Sequence, residues 1–560
     1  MRQFWAAGLL AYAGLTGVAA AQGVPADTVL HHGKVVTVDR AFSIAQAVAI
    51  AGDRVVAVGS DADVDKLIGP STKVLDLAGR TAIPGLNDSH LHTMVGAANE
   101  LSVSLAEAKS IKDVQDALAR RAAETPPGKW ILGSSGWHES QLKEGRLPTR
   151  QELDAVTPNN PVHIARGGHV VVANSAALKL AGITKDTPDP AGGVIVRDKT
   201  TGEPTGALFE NPAFMLVRKL IPPLTRDERI KGLKAFIAKL NASGVTATVE
   251  PGLQPDEIAA YMELWRQGGM THRVHILRRI AKLDDLKTLD LLAPNFGDDY
   301  LKIGGFKYLM DGGIEGAAMS EPYRIVEGEQ NDPNYTGKML LPPGGMDELK
   351  QMFLTAARSG WQVQVHAVGD ATITSLVDLL AQVDRERPLK DLRWAVMHIF
   401  LPTPHALDEI KRMGVWTTVQ DHPIKLGHNM LRYWGPERAA RAIPVRSILA
   451  KGIPTGGGTD APVVDYDPFE SLWWMVTRKT LTDDKPLGPD EAISREDALR
   501  LYTMGSAAVE FWEDKLGSIE PHKLADITVL SEDYLTVPAD RIKDIKAVLT
   551  IVGGKIVYQR

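Results

Sequence analysis

One local pattern constrains this 560-residue chain more than any other, because it recurs. An amphipathic segment with a helical repeat runs into a Gly, and an apolar run follows at once. Ile230, Leu233, Ile237 and Leu240 share one helical face ahead of "SGVTATVE". Leu349, Met352, Phe353 and Ala356 share another ahead of "SGWQVQVHAVGD". A third unit leads into "MGVWTTVQDH" and a fourth into "KGIPTGGGTD". Gly takes the left-handed conformation that ends a helix at little steric cost. A helix followed by a fully apolar strand, repeated, predicts βα units around a parallel sheet.

Each apolar run also ends on a polar residue. Glu250, His366 and Gln420 lie six residues after their Gly, and Asp460 lies eight after Gly452. Further strands are predicted at 272–279 ("HRVHILRR"), 302–311 ("KIGGFKYLMD") and 393–400 ("RWAVMHIF"), and one more precedes His90. Eight strands with polar groups at their C-terminal ends describe an α/β fold of the (β/α)₈ or TIM-barrel type, with its site on that face.

Two regions fall outside the repeat. Residues 22–84 and 508–560 share a texture of short strands and turns, and the segments 29–39 and 548–558 both read as β-hairpins. They predict one small β-sandwich assembled from both parts of the chain. The barrel then occupies 85–507. Residues 100–225, rich in Pro, Gly and Asp, form an insert after barrel strand one, expected to lie near the active-site mouth. The pair Trp473-Trp474 sits on a helical segment, where adjacent residues diverge, so one of the two is expected in the core.

Composition narrows the chemistry. Cysteine is absent, so no disulfide, thiol nucleophile or Cys-ligated metal is available. The net charge is -6 with no basic block, which argues against nucleic acid as a partner. Residues 1–21 carry a positive charge near their start at Arg2, continue through an apolar, small-residue stretch and end in Ala19-Ala20-Ala21. This fits a cleaved bacterial signal peptide, a periplasmic or secreted product and no membrane span after processing; an uncleaved anchor is the alternative.

The stretch "PGLNDSHLHT" holds His90-Leu91-His92. On a strand, residues i and i+2 point the same way, so both imidazoles can face one ion. Alone, the pair reads equally well as a solvated polar pair. With His366, His398 and Asp460 at other strand ends, it reads as a divalent-metal site, because neutral imidazole and carboxylate are good ligands for zinc-like ions.

In these residues the chain resembles the amidohydrolase superfamily of metal-dependent hydrolases, within it the amidohydrolase 3 branch, which includes N-substituted formamide deformylases. The motifs that carry the resemblance are "PGLNDSHLH", "LPTRQELDAVTPNNPVHIARGGHVVVANSAALKLAGI", "PDPAGGVIVRD", "EPTGALFE", "HAVGD", "GTDAPV", "LYTMGSAA" and "GSIEPHKLADITVL". They cover nearly the whole chain after the leader. The resemblance implies one or two Zn²⁺-type ions held by His90, His92, Lys307, His366, His398 and Asp460. Lys307 matches a strand-four lysine that can be carbamylated, which turns a repelling ammonium into two anionic oxygens; a plain lysine paired with Asp311 or Asp370 is the alternative.

It further implies Asp460 as general base, His398 or His366 as a hydrogen-bond donor, and attack of a metal-activated hydroxide on a non-peptide C–N bond in an amide, formamide or cyclic amide. A lactone, ester or carbamate hydrolase on the same site is a second reading, and a non-catalytic periplasmic binding protein a third. The substrate is a small molecule, and a homodimer is common in such barrels.

Three positions depart from the family pattern: Gly167-Gly168-His169 replaces Asp-Gly-His, Met397-His398 replaces Glu-His, and Glu250-Pro251 replaces an Asp-rich turn. They bear on substrate choice. In the insert, His169, Arg166 and Trp137 are candidates for gripping a substrate. Glu250 is a candidate pocket wall or extra ligand, and His422 reads as a loop histidine near the pocket.

Overall fold

The computed structural model describes residues 25–287, 293–325, 332–481 and 485–560. The leader at 1–21 lies outside the described residues. Eight parallel strands form the barrel: β1 (Leu86–Asp88), β2 (Val245–Leu253), β3 (Arg273–Arg279), β4 (Leu301–Leu309), β5 (Gln362–Ala367), β6 (Ala395–His398), β7 (Trp416–Gln420) and β8 (Thr455–Gly458). Each pairs in parallel with the next from β1 through β8.

The helix Arg226–Ala242 illustrates why the repeat folds this way. Thr225 caps it in a capping box with Glu228, and Ile230, Leu233, Ile237 and Leu240 are buried. Gly244 turns out of the helix at φ +88, and β2 begins at the next residue. Gly360, Gly414 and Gly452 do the same ahead of β5, β7 and β8, at φ +75, +67 and +67.

Three consecutive glycines let β8 reach β1. A Cβ on Gly458 would lie 2.4 Å from Asp88 Oδ1, and one on Gly456 would lie 2.9 Å from Ser89 Cβ. In place of a regular ladder, Ser89 N donates to Gly457 O at 2.9 Å and Asp460 N to His90 O at 2.7 Å. Asp88 fastens the seam, accepting from His90 N (2.9 Å), Thr459 N (3.0 Å) and Thr459 Oγ1 (2.7 Å). Its burial raises its pKa to about 7, against the pull of these hydrogen bonds.

Two further sheets pack face to face beside the barrel. One has four strands, in the order Arg54–Gly59, Ala47–Ala51, Thr28–His31, Lys73–Asp76. The other has six, in the order Lys555–Gln559, Ala547–Val552, Ile527–Leu530, Thr81–Pro84, Lys34–Val36, Ile44–Ala45. Leu30, Val48 and Ile50 from the first meet Val35, Ala82, Ile527 and Ile551 from the second in one core.

The segment 548–558 is a hairpin, as expected, but 29–39 is not. Thr28–His31 and Lys34–Val36 belong to different sheets, and the chain crosses between them at His32 (φ +53) and Gly33. Each strand is already paired on both edges, Thr28–His31 with Ala47–Ala51 and Lys73–Asp76, and Lys34–Val36 with Ile44–Ala45 and Thr81–Pro84, so neither has an edge left for the other.

Between β1 and β2 the chain builds a five-stranded sheet in the order Val194–Arg197, Pro204–Phe209, Val170–Ala173, Val162–Arg166, Ile131–Gly133. After β8, the helix Pro468–Thr477 buries Phe469, Leu472, Trp473, Trp474 and Met475. Both tryptophans are therefore core, not one: the helix is covered on nearly every side, so diverging directions both end in protein. Among the described residues, no helix is long and apolar enough to cross a membrane.

Candidate metal centre and its pocket

The histidines and aspartate at the C-terminal ends of the strands converge. His90 and His92 do not lie on β1 itself, which stops at Asp88; they occupy the turn that leads into the helix Thr93–Glu100. The turn, held by Asp88 and by His92 N donating to Ala461 O at 2.8 Å, still aims both rings at one carboxylate. His90 Nε2 and His92 Nε2 each stand 3.2 Å from Asp460 Oδ1. Leu91 points away, buried in the core with Leu86 and Met94.

The opposite side is formed by His398 at the end of β6 and His422 just past β7. His398 Nδ1 lies 4.0 Å from Asp460 Oδ2, and His422 Nε2 lies 2.9 Å from the same oxygen. Two triads, His90/His92/Asp460 and His398/His422/Asp460, each bring one donor atom per residue within 4.8 Å of the others, close enough to hold a metal ion. His366 stands beside them, its ring 4.5 Å from that of His398 and its Nε2 3.1 Å from Gly312 O.

The reading of His422 as a loop histidine is corrected: it is buried and part of the centre. Its position two residues past a strand hides it from a period-2 pattern. Only the αR turn at its own backbone (φ -45, ψ -38), which starts the helix Pro423–Trp434, swings it inward.

Strain marks two of these residues. His398 and Asp460 adopt the left-handed region at φ +68 and +64, and Ile399 follows at +45. Non-glycine residues hold such angles at a cost, and they concentrate at functional sites.

The electrostatics suit ligation. Burial pushes His90 down to about 3 and His366 and His398 well below the usual imidazole range, so these rings are neutral. Burial acts to raise Asp460, but His90, His422 and His92 around it hold the carboxyl well below its usual range. Both nitrogens of His90, Nδ1 of His398 and of His422, and Oδ1 of Asp460 are buried without a hydrogen bond.

Lys307, on β4, is buried, and desolvation lowers its pKa to about 7. It pairs with neither Asp311 nor Asp370. Its Nζ lies 2.6 Å from Met397 Sδ. Asp311 instead accepts from the backbone N–H groups of Val368 and Gly369 at the start of the helix Asp370–Glu386, and Asp370 accepts from Ser320 N. Glu250 is also engaged elsewhere, accepting from Tyr261 Oη at 2.7 Å and Met94 N at 3.2 Å; burial raises its pKa to about 7. It holds the helix after β1 and does not line the pocket.

A cavity of about 500 Å³ opens from the centre, and the insert forms its far wall through Trp137, Arg166 and His169. Trp137 spends its Nε1–H on Ala165 O and turns its ring to the cavity. Arg166 is held between two buried carboxylates, with Nε 2.9 Å from Glu139 Oε2 and Nη1 3.1 Å from Glu315 Oε1. His169 Nδ1 donates to Glu210 Oε2 at 2.9 Å. Burial pushes His169 down, but Glu210 outweighs it and lifts the ring to about 9. Glu139 and Glu315 had no sequence signal, and Glu210 was visible only as the end of the motif "EPTGALFE", with no partner read for it; their partners lie 27, 149 and 41 residues away respectively.

A model of the amidohydrolase family matches residues 73–558. The chain is 31% identical over 554 residues to Protein LONG AFTER FAR-RED 3 of Arabidopsis thaliana, an alignment covering 96% of this chain and 92% of that protein. It is 29% identical over 554 residues to an N-substituted formamide deformylase of Arthrobacter pascens, covering 95% and 98%. Among solved structures, an uncharacterized metal-dependent hydrolase from Pyrococcus horikoshii OT3 matches with a TM-score of 0.72 at 26% identity, covering 92% of this chain and 99% of that one.

Proposed function

We infer the function from one premise: the chain belongs to the amidohydrolase family. It is accordingly a hydrolase, and the reaction assigned here is cleavage of a non-peptide C–N bond in a small amide, formamide or cyclic amide. The observation that carries this reading is the cluster of imidazoles around an ionised Asp460, His90, His366 and His398 among them neutral, with buried donor atoms left without hydrogen bonds. Such atoms cost free energy unless something occupies the space between them. Similarity to a formamide deformylase supports the amide class.

The donor set fits divalent zinc, which favours imidazole nitrogen and carboxylate oxygen. His90, His92 and Asp460 would hold one ion, and His398, His422 and Asp460 a second, with His366 adjoining. The low basicity of Lys307 leaves its neutral amine free to add to CO₂ and lose a proton, giving a carbamate whose one negative charge is shared by two oxygens beside the centre. Bound zinc supplies a water of lowered pKa and Lewis-acid polarisation of the scissile carbonyl.

The chain's own groups manage the proton. Asp460 Oδ1 accepts it from the attacking water while His422, on Oδ2, keeps the carboxylate oriented. The water oxygen bonds to the carbonyl carbon. The C–N bond then breaks with its electron pair on nitrogen, and Asp460 returns the proton there, giving a carboxylic acid and an amine, which exchange the remaining water proton to leave a carboxylate and an ammonium.

Elemental analysis of the purified protein is expected to find one or two zinc equivalents. Chelation should abolish hydrolysis of N-formyl, N-acyl and cyclic amides, and zinc should restore it. Full activity in a metal-free protein would overturn the mechanism. Turnover of lactones and esters alone would move the site to C–O bonds.

The leader at 1–21 supports assignment to the periplasm or the medium. The mature protein is then expected to begin at Gln22 on N-terminal sequencing. A membrane-bound product that keeps Met1 would overturn this.

A further inference from the structure

We propose that His169, delivered by the insert, is a further catalytic residue whose Nε2–H donates to the substrate's carbonyl oxygen as charge builds there, and that Glu210 is its positioning residue. The proposal rests on the hydrolytic assignment above.

The pair is built reciprocally. Val170 and Phe209 are directly opposite in an antiparallel pair, which places His169 beside Glu210. Glu210 N donates to His169 O at 2.7 Å, and His169 Nδ1 donates to Glu210 Oε2 at 2.9 Å. Glu210 holds φ +63 to do this, a left-handed angle that a glutamate adopts only when its surroundings impose it.

The barrel is shaped to receive the pair. In "DGGIEGA", after β4, a Cβ on Gly312 or Gly316 would lie 3.0 or 2.8 Å from Glu210 Oε1, and one on Gly313 would lie 2.8 Å from His169 Cδ2. Three glycines thus clear the space into which the insert places an imidazole and its carboxylate. With Nδ1 committed to Glu210, Nε2 is the nitrogen left to the cavity. The ring lines the same cavity as His366, His398 and Asp460 and stands 6.1 Å from the ring of His366. Arg166, three residues earlier, does not share this role, because Glu139 and Glu315 occupy its guanidinium.

A donor aimed at the carbonyl oxygen binds the developing oxyanion more strongly than the ground state, so its loss should fall on kcat. The probes are N-formylbutylamine and N-acetylbutylamine as substrates and N-butyl methylphosphonamidate as a tetrahedral mimic. His169→Ala is expected to lower kcat by about 10²–10³-fold, change KM by less than about 3-fold, and weaken the mimic by a factor similar to that in kcat. His169→Gln, which keeps an N–H donor, should recover about a tenfold part of the loss. Glu210→Gln should fall between the wild type and His169→Ala. Zinc content and melting temperature should stay at wild-type values in all three.

A rise in KM with kcat unchanged would make His169 a substrate grip only, and loss of zinc in both His169 variants would make it a support of the centre; either overturns the proposal. If the wild type cleaves the butyl esters but neither amide, the C–N assignment fails on its own, and the same kcat comparison on the esters decides His169.

Discussion

Asp460→Asn is expected to lower kcat/KM by about 10²–10⁴-fold with the fold intact. The substitution is nearly isosteric, and asparagine tolerates the left-handed conformation that position 460 holds at φ +64. The seam between β8 and β1 uses the backbone of residue 460, donating to His90 O, and is indifferent to the side chain. What disappears is the carboxylate that His90, His92 and His422 surround. The amide cannot accept the water's proton, and it is a poorer anchor between two clusters of imidazoles. Steady-state kinetics on the best substrate, with zinc held in excess, separate loss of proton transfer from loss of metal. Unchanged turnover would remove Asp460 from its role as base. Asp460→Ala is a worse test, since it adds backbone strain at the same position.

Asp526→Ala is expected to destabilise the protein by about 3–5 kcal/mol. Asp526 precedes the strand Ile527–Leu530 of the six-stranded sheet and grips Arg273 at the start of β3. Arg273 Nε donates to Oδ2 and Nη2 to Oδ1, both at 2.8 Å, and both side chains are nearly fully buried. Removing the carboxylate leaves a buried guanidinium with Asp299 O and the face of Tyr300, and Gly553 N loses its acceptor. Urea unfolding should register the loss as a lower midpoint. Replacing both partners with apolar residues, Arg273→Met with Asp526→Leu, should cost far less, because no charge is then stranded. Equal losses in the single and double variants would show that the pair acts through packing alone.

The barrel was legible because its grammar is local. A helical face, a turning glycine and an apolar run each lie within a few residues, as in Ile230 to Glu250. Gly456-Gly457-Gly458 was visible too, though its reason was not: only the approach of Asp88 and Ser89 to 2.4 and 2.9 Å explains why side chains are excluded there. His90, His92, His366, His398 and Asp460 could be found as polar endings to apolar runs. His422 could not, since its inward aim comes from the first turn of a helix and not from a strand's alternation.

The insert hid its partners more thoroughly. Arg166 and His169 were recognisable as polar residues in a glycine-rich hairpin, but their carboxylates come from a 3₁₀ turn, a strand-to-helix corner and a barrel loop. Charge pairing across such distances has no period to read. The same holds for Lys307, whose two candidate partners, Asp311 and Asp370, turned out to accept from backbone amides instead.

The six-stranded sheet has a consequence for synthesis. Thr81–Pro84 pairs on one edge with Lys34–Val36 but needs Ile527–Leu530 on the other, and that strand needs Ala547–Val552. Roughly 440 residues must leave the ribosome between the two halves, which at ordinary elongation rates is tens of seconds. Throughout that interval Ala82 and Ile83, buried in the finished protein, lack their partner strand. Thr81–Pro84, among the earliest strands made, is thus among the last to be completed, with one edge open until the final hairpin arrives.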